Sequence, residues 1–110
     1  MIRDTLGKIE TRIQKADSIQ LEKKTELLDL LSTLKSEIAE LSTTHGDQAE
    51  SIAGFTEIST HEATREAKNP QLLKLALAGL TSSVDGFEKS HPKLVQIVNS
   101  FCVTLSNLGI

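Results

Sequence analysis

Four stretches of this chain place Leu, Ile, Val or Phe at alternating four- and three-residue intervals, and that spacing leaves few folds open. The series are Ile2, Leu6, Ile9, Ile13; Leu27, Leu31, Leu34, Ile38, Leu41; Leu73, Leu77, Leu80, Val84, Phe87; and Leu94, Val98, Phe101, Leu105, Leu108. On a helix each series falls along one narrow stripe, whereas a strand would need a period of two. Three Phe and no Trp or Tyr among 110 residues leave an aliphatic core, which suits knobs-into-holes helix packing better than a small sandwich or barrel. The expected class is all-α, with coiled-coil-like helical hairpins forming a bundle in a single domain over residues 1–110. A chain of that length has little slack for poor packing.

Punctuation between the seams divides the chain into five helices. The first covers about residues 2–16, and the second, about 20–43, follows Asp17-Ser18, whose oxygens can cap it with Gln20 at capping-box distance. Leu28 and Leu30 widen the second stripe, so this helix is expected to touch more than one neighbour. Gly46 can close it in a left-handed conformation, and Asp47 with Glu50 can open a third helix over about 47–68. That third helix has few apolar positions (Ile52, Phe55, Ile58, Ala63) and several mediocre helix formers (Thr56, Ser59, Thr60, Thr64). It is expected to face solvent and to be broken or mobile. Asn69-Pro70 and His91-Pro92 each pair a cap with proline at the first helical position, where its missing N–H costs nothing. They open helix four, running through Phe87, and helix five, ending at Gly109. The short turn between them predicts an antiparallel hairpin over 69–110.

Charge separates the halves. Residues 1–68 carry 22 of the 27 Asp, Glu, Lys and Arg residues, and the last fifteen, QIVNSFCVTLSNLGI, carry none. Val95, Ile97, Cys102 and Val103 broaden the stripe of helix five, so that helix must be enclosed by protein. Burial of each large aliphatic side chain contributes about 1.5–3 kcal/mol, a sizeable part of a typical net stability of about 5–15 kcal/mol. Helix four alone cannot supply that cover, so helices one and two or a second copy of the chain must. A membrane span is disfavoured, because the stretch falls short of about 20 apolar residues and holds Asn99, Ser100, Thr104, Ser106 and Asn107. A stripe of small residues, Ala76, Gly79, Ser83 and Gly86, offers close approach to another helix or is simply tolerated on an exposed face. The interface expected for a homodimer comprises Leu73, Leu77, Gly79, Leu80, Val84, Gly86, Phe87, Leu94, Val98, Phe101, Leu105 and Leu108.

Chemistry is sparse. A net charge of −3 disfavours a nucleic-acid backbone as partner. Cys102 cannot form an internal disulfide, and its apolar neighbours predict an inert thiol in a reducing compartment. Residues 1–10 show no secretory h-region, so a cytoplasmic location is the default. Glu57, His61 and Arg65 form one column on helix three, read as an exposed ion-pair ladder. No Glu-x-x-His pair supports a carboxylate-bridged di-metal site, and His45 and His91 read as turn or cap residues. No nucleophile with a spaced base and no phosphate-cradling loop is present, so no catalytic residue, cofactor or metal ligand is assigned and enzyme activity is not expected.

The C-terminal half carries a recognisable set of motifs: an Asn69-Pro70 helix start, an FE-x-SHP-x-L turn (Phe87, Glu88, Ser90, His91, Pro92, Leu94), Asn99, and a terminal L-S-N-x-G-I (Leu105, Ser106, Asn107, Gly109, Ile110). With ELLDLLSTLKSEIAEL, these make residues 20–110 resemble a family of short bacterial proteins catalogued as a domain of unknown function. The resemblance implies a small helical bacterial protein and brings no activity with it. The sequence therefore points to a helical structural or interaction protein that self-associates through its C-terminal hairpin, with charged helices two and three facing solvent or a protein partner. The alternative is a small-molecule or metal-binding bundle using Asn99, His91 and His61.

Overall fold

Most of the large aliphatic residues of the four seams are enclosed by the fold. The computed structural model describes residues 2–108, in which the chain forms α1 (Ile2–Lys15), α2 (Leu21–Ser42), α3 (Gly46–Thr64), α4 (Pro70–Ser83) and α5 (Pro92–Leu108), with no strand among the described residues. Gly109, expected to end the last helix, lies outside them. Leu27, Leu31, Leu34, Ile38 and Leu41 are the buried residues of α2, and Leu94, Val98, Phe101 and Leu105 are fully enclosed on α5. Leu28 and Leu30 pack against the same core from its edge. Phe101 is the largest fully buried side chain. The cover for α5 comes from its own chain, chiefly from α2 with α4 and α3 beside it. It does not extend all the way round, since Val103 remains 61% exposed.

The third helix departs most from expectation. It is continuous and central: α3 packs on all four other helices, which follow one another around it in the order α1, α2, α5, α4. Its buried residues are Ala49, Ile52, Ala53, Thr56, Ser59, Thr60, Glu62 and Ala63. Most are small, so neighbouring helices can approach closely. The threonines are compatible with burial because each returns its hydroxyl proton to the preceding turn: Thr56 Oγ1 donates to the Ile52 carbonyl at 2.7 Å, Thr60 to Thr56 at 2.8 Å and Thr64 to Thr60 at 2.8 Å. The helix ends at Thr64, before the expected 68, where Arg65 turns extended. At the start of α4 the Asn69 side chain accepts a hydrogen bond from the Leu72 N–H at 3.1 Å.

Three boundaries also differ. Asp17 and Ser18 do not cap α2; Gln20 holds the N-cap position without a side-chain bond, because Ile19 is drawn into the core and delays the helix. Gly46 is the first residue of α3 and not a left-handed stop. Finally, α4 closes at Ser83, and Gly86, with φ of +94°, sits in the following turn, so Val84 and Phe87 continue the seam without continuing the helix.

Candidate interaction surface

Around α3 the ring of helices is open on one side, because α1 and α4 do not touch. At 100° per residue, the accessible positions of α3 run from Phe55 through Ser51, Ile58 and His61 to Glu57, roughly half its circumference. One border of this opening is α4 and the other is α1.

The α4 border is apolar. Phe55 and Ile58 of α3 are 37% and 50% exposed, and Leu72 and Leu75 of α4 are 42% and 61% exposed. The 65–69 connection folds α4 back along α3, which sets Phe55 against Gly79; counting along both helices from that contact places Ile58 and Leu75 at matching levels. A Cβ at Gly79 would overlap the Phe55 ring. The close approach anticipated at Gly79 is therefore made by a side chain of α3, while Gly86 belongs to the turn. Beside the strip, Glu62 is nearly buried and accepts from Arg65 Nη1 at 3.0 Å, with His61 Nε2 3.9 Å from its other oxygen. The ion pairs of this helix thus centre on Glu62, and no pair links Glu57 to His61 among the described residues.

Most residues expected at a dimer interface lie in the chain's own core. Leu73, Leu80, Val84, Leu94, Val98, Phe101 and Leu105 are buried, Leu77, Gly79, Phe87 and Leu108 are half-buried, and Gly86 is exposed. Sequence periodicity identified the hairpin's inner seam. Leu72 and Leu75, one position to the side, are what α4 presents outward.

At one end of the bundle the α2–α3 and α4–α5 connections meet. The Phe87 ring stands edge-on to His45 at 5.4 Å and to His91 at 5.5 Å, and the two imidazoles are 6.1 Å apart. Gly86 N–H donates to the Glu88 carboxylate at 2.7 Å, Ser90 Oγ lies 2.9 Å from His91 Nδ1, and the His91 N–H donates to the Phe87 carbonyl at 2.8 Å. The FE-x-SHP motif is thus a turn that locks two loops together. The model of one protein family matches residues 27–110.

The chain belongs to that family, Domain of unknown function (DUF4404).

In this DUF4404 chain the match begins inside α2, so α1 lies outside it. No curated protein and no solved structure matches the chain. No group of three or more His, Cys, Asp or Glu side chains among the described residues is placed to hold a metal. Asn99 lines a shallow depression with Glu26 and Thr104, His91 belongs to the turn, and His61 sits near the opposite end of α3, so the structure does not gather them into one site. Cys102 is half-buried, and desolvation raises its thiol pKa above the ordinary value despite the Thr81 hydroxyl 3.8 Å away. No helix among the described residues is long and apolar enough to cross a membrane.

Proposed function

We propose that this DUF4404 chain is a protein-interaction module that self-associates through the accessible part of its C-terminal hairpin, the outer face of α4. The observation that supports this reading is the strip of Phe55, Ile58, Leu72 and Leu75, four large apolar side chains along adjoining faces of α3 and α4. Single exposed hydrophobics need no explanation, whereas a contiguous group beside an open border suits a contact. A two-fold axis through the strip would lay it against its own copy and continue the helix-on-helix, coiled-coil-like packing of the bundle. On this reading the protein acts by holding another polypeptide in the bacterial cytoplasm, not by catalysis, and it employs no cofactor.

Light scattering combined with melting at several protein concentrations tests the reading. A dimer would show twice the chain mass and a Tm that rises with concentration. Leu75→Asp alters a side chain that is already 61% exposed, so it should yield a folded monomer. A monomeric mass with a concentration-independent Tm would reject self-association.

A further inference from the structure

We propose that the groove along the other border of α3, between α1 and α3, is the docking site for an acidic helical segment of a partner protein. The groove encloses about 980 Å³, and its cationic lining comes from Arg3, Lys8, Arg12 and Lys15 of α1. Among the described residues only two carboxylates share it, those of Asp4 and Glu57. Elsewhere in the chain, much of the positive charge is committed. Lys23 pairs with Glu26, Lys35 with Glu10 and Arg65 with Glu62, while Lys24 and Lys68 donate to the carbonyls of Gln14 and Ala63. Of the seven remaining Lys and Arg residues, which have neither an ion pair nor a hydrogen bond among the described residues, four line this groove. A chain with net charge −3 thus places more than half of its unpartnered cations along this one groove.

Spacing identifies the ligand. Lys8, Arg12 and Lys15 stand at i, i+4 and i+7, a column about 10 Å long on one side of α1. A helix lying alongside, with Glu or Asp at the same spacing, meets each cation in turn. Gly7 and Thr11 also line the groove and are small, and a Cβ on Gly7 would meet nothing within 4 Å, so a neighbouring backbone can come close. A nucleic acid fits less well, because Asp4 and Glu57 interrupt the positive surface and none of the lining residues is aromatic, leaving no platform for stacked bases. The matched DUF4404 span begins at residue 27, so the cationic wall lies outside it.

The site is separate from the apolar strip and does not depend on self-association there. Its test is fluorescence anisotropy with the full chain and a labelled, helix-forming peptide of about 20 residues carrying Glu at i, i+4 and i+7. Comparison probes are a peptide with Lys at those positions and a single-stranded oligonucleotide of equal charge to the acidic peptide. The acidic peptide should bind, and Lys8→Glu with Arg12→Glu should weaken it by about tenfold or more. Raising ionic strength from ~0.05 M to ~0.5 M should also weaken it. Lys89→Glu with Lys93→Glu, an equal charge change at two of the other unpartnered lysines, should leave binding unchanged. Leu75→Asp should likewise spare peptide binding even if it abolishes the dimer. All four cation positions are exposed, so circular dichroism should show the variants folded. Absence of acidic-peptide binding, or equal loss from the remote pair, would overturn the proposal. Tighter, Lys8- and Arg12-dependent binding of the oligonucleotide would overturn it in favour of a nucleic-acid site.

Discussion

Ser59 provides a direct energetic test of the central helix. Its side chain is 0% exposed, and its Oγ has no hydrogen-bond partner, although the nearby threonines of α3 bond their hydroxyls to the preceding turn. An unsatisfied buried hydroxyl costs about 1–3 kcal/mol relative to its absence. Replacing Ser by Ala also improves helix propensity by about 0.5 kcal/mol, and it loses the dispersion contacts of one oxygen, less than about 1 kcal/mol. Ser59→Ala should therefore stabilise the fold by about 1–2 kcal/mol. With an unfolding entropy of about 2.1 cal/mol/K per residue over 110 residues, 1 kcal/mol corresponds to about 4 °C, so Tm should rise by about 4–9 °C. Thr56→Ala is the control one turn away. It removes a buried methyl and a 2.7 Å hydrogen bond, and should cost about 1–2 kcal/mol. Urea unfolding followed by circular dichroism measures both, with an unchanged m-value showing that the same surface is exposed. A Ser59→Ala variant that melts several degrees lower would refute the reasoning, because its hydroxyl would then have a partner.

Other substitutions probe the faces and boundaries. Phe101→Asp places a carboxylate at the largest fully buried position and should abolish folding, whereas Glu57→Ala should change Tm by no more than a degree or two, since surface changes stay within about 0.5 kcal/mol; comparable losses would mean that the buried faces are misassigned. Gly79→Ala should gain the glycine-to-alanine helix term of about 1 kcal/mol only when Phe55→Ala has cleared the overlapping ring, and a double-mutant cycle showing equal gains in both backgrounds would contradict that contact. Cys102, with its thiol pKa raised by burial, should react with iodoacetamide more slowly in the folded chain than in urea at neutral pH. Because the folded pKa lies above the unfolded one, the thiol's contribution to stability is complete below the unfolded value and is lost as pH rises through the folded value, a loss that Cys102→Ala should remove.

The long seams made four helices legible. Each uses large aliphatic residues at a narrow spacing, and all five seam positions of α2 are buried. The role of α3 was harder to read because, Ile52 apart, its burial is carried mostly by Ala, Ser and Thr, whose transfer from water contributes little to hydropathy. Two of its three large apolar side chains, Phe55 and Ile58, are exposed toward the open border instead. The available signal was steric: Ala49, Ala53, Thr56, Thr60 and Ala63 form a face of small residues without charge, suited to a helix crowded on several sides. Val84 and Phe87 extended the α4 seam in sequence because a side chain can reach the core from a turn as well as from a helix. For the candidate surface, a seam of leucines and a phenylalanine says that it will be covered but does not say by which chain. Leu72 and Leu75 became distinguishable from Leu73 and Leu80 only once the positions of α3 and α4 around the bundle were known.

The placement of α3 has a consequence for synthesis on the ribosome. The chain's midpoint is also the molecule's midpoint, so the segments made first, α1 and α2, can cover only one flank of it. The other flank waits until α4 and α5 have emerged, and the Glu26 carboxylate that accepts from the Thr104 hydroxyl must wait for a residue 78 positions later. The helices made after α3 are therefore the ones that complete its enclosure, and a nascent chain stalled before them would present a half-covered helix to chaperones.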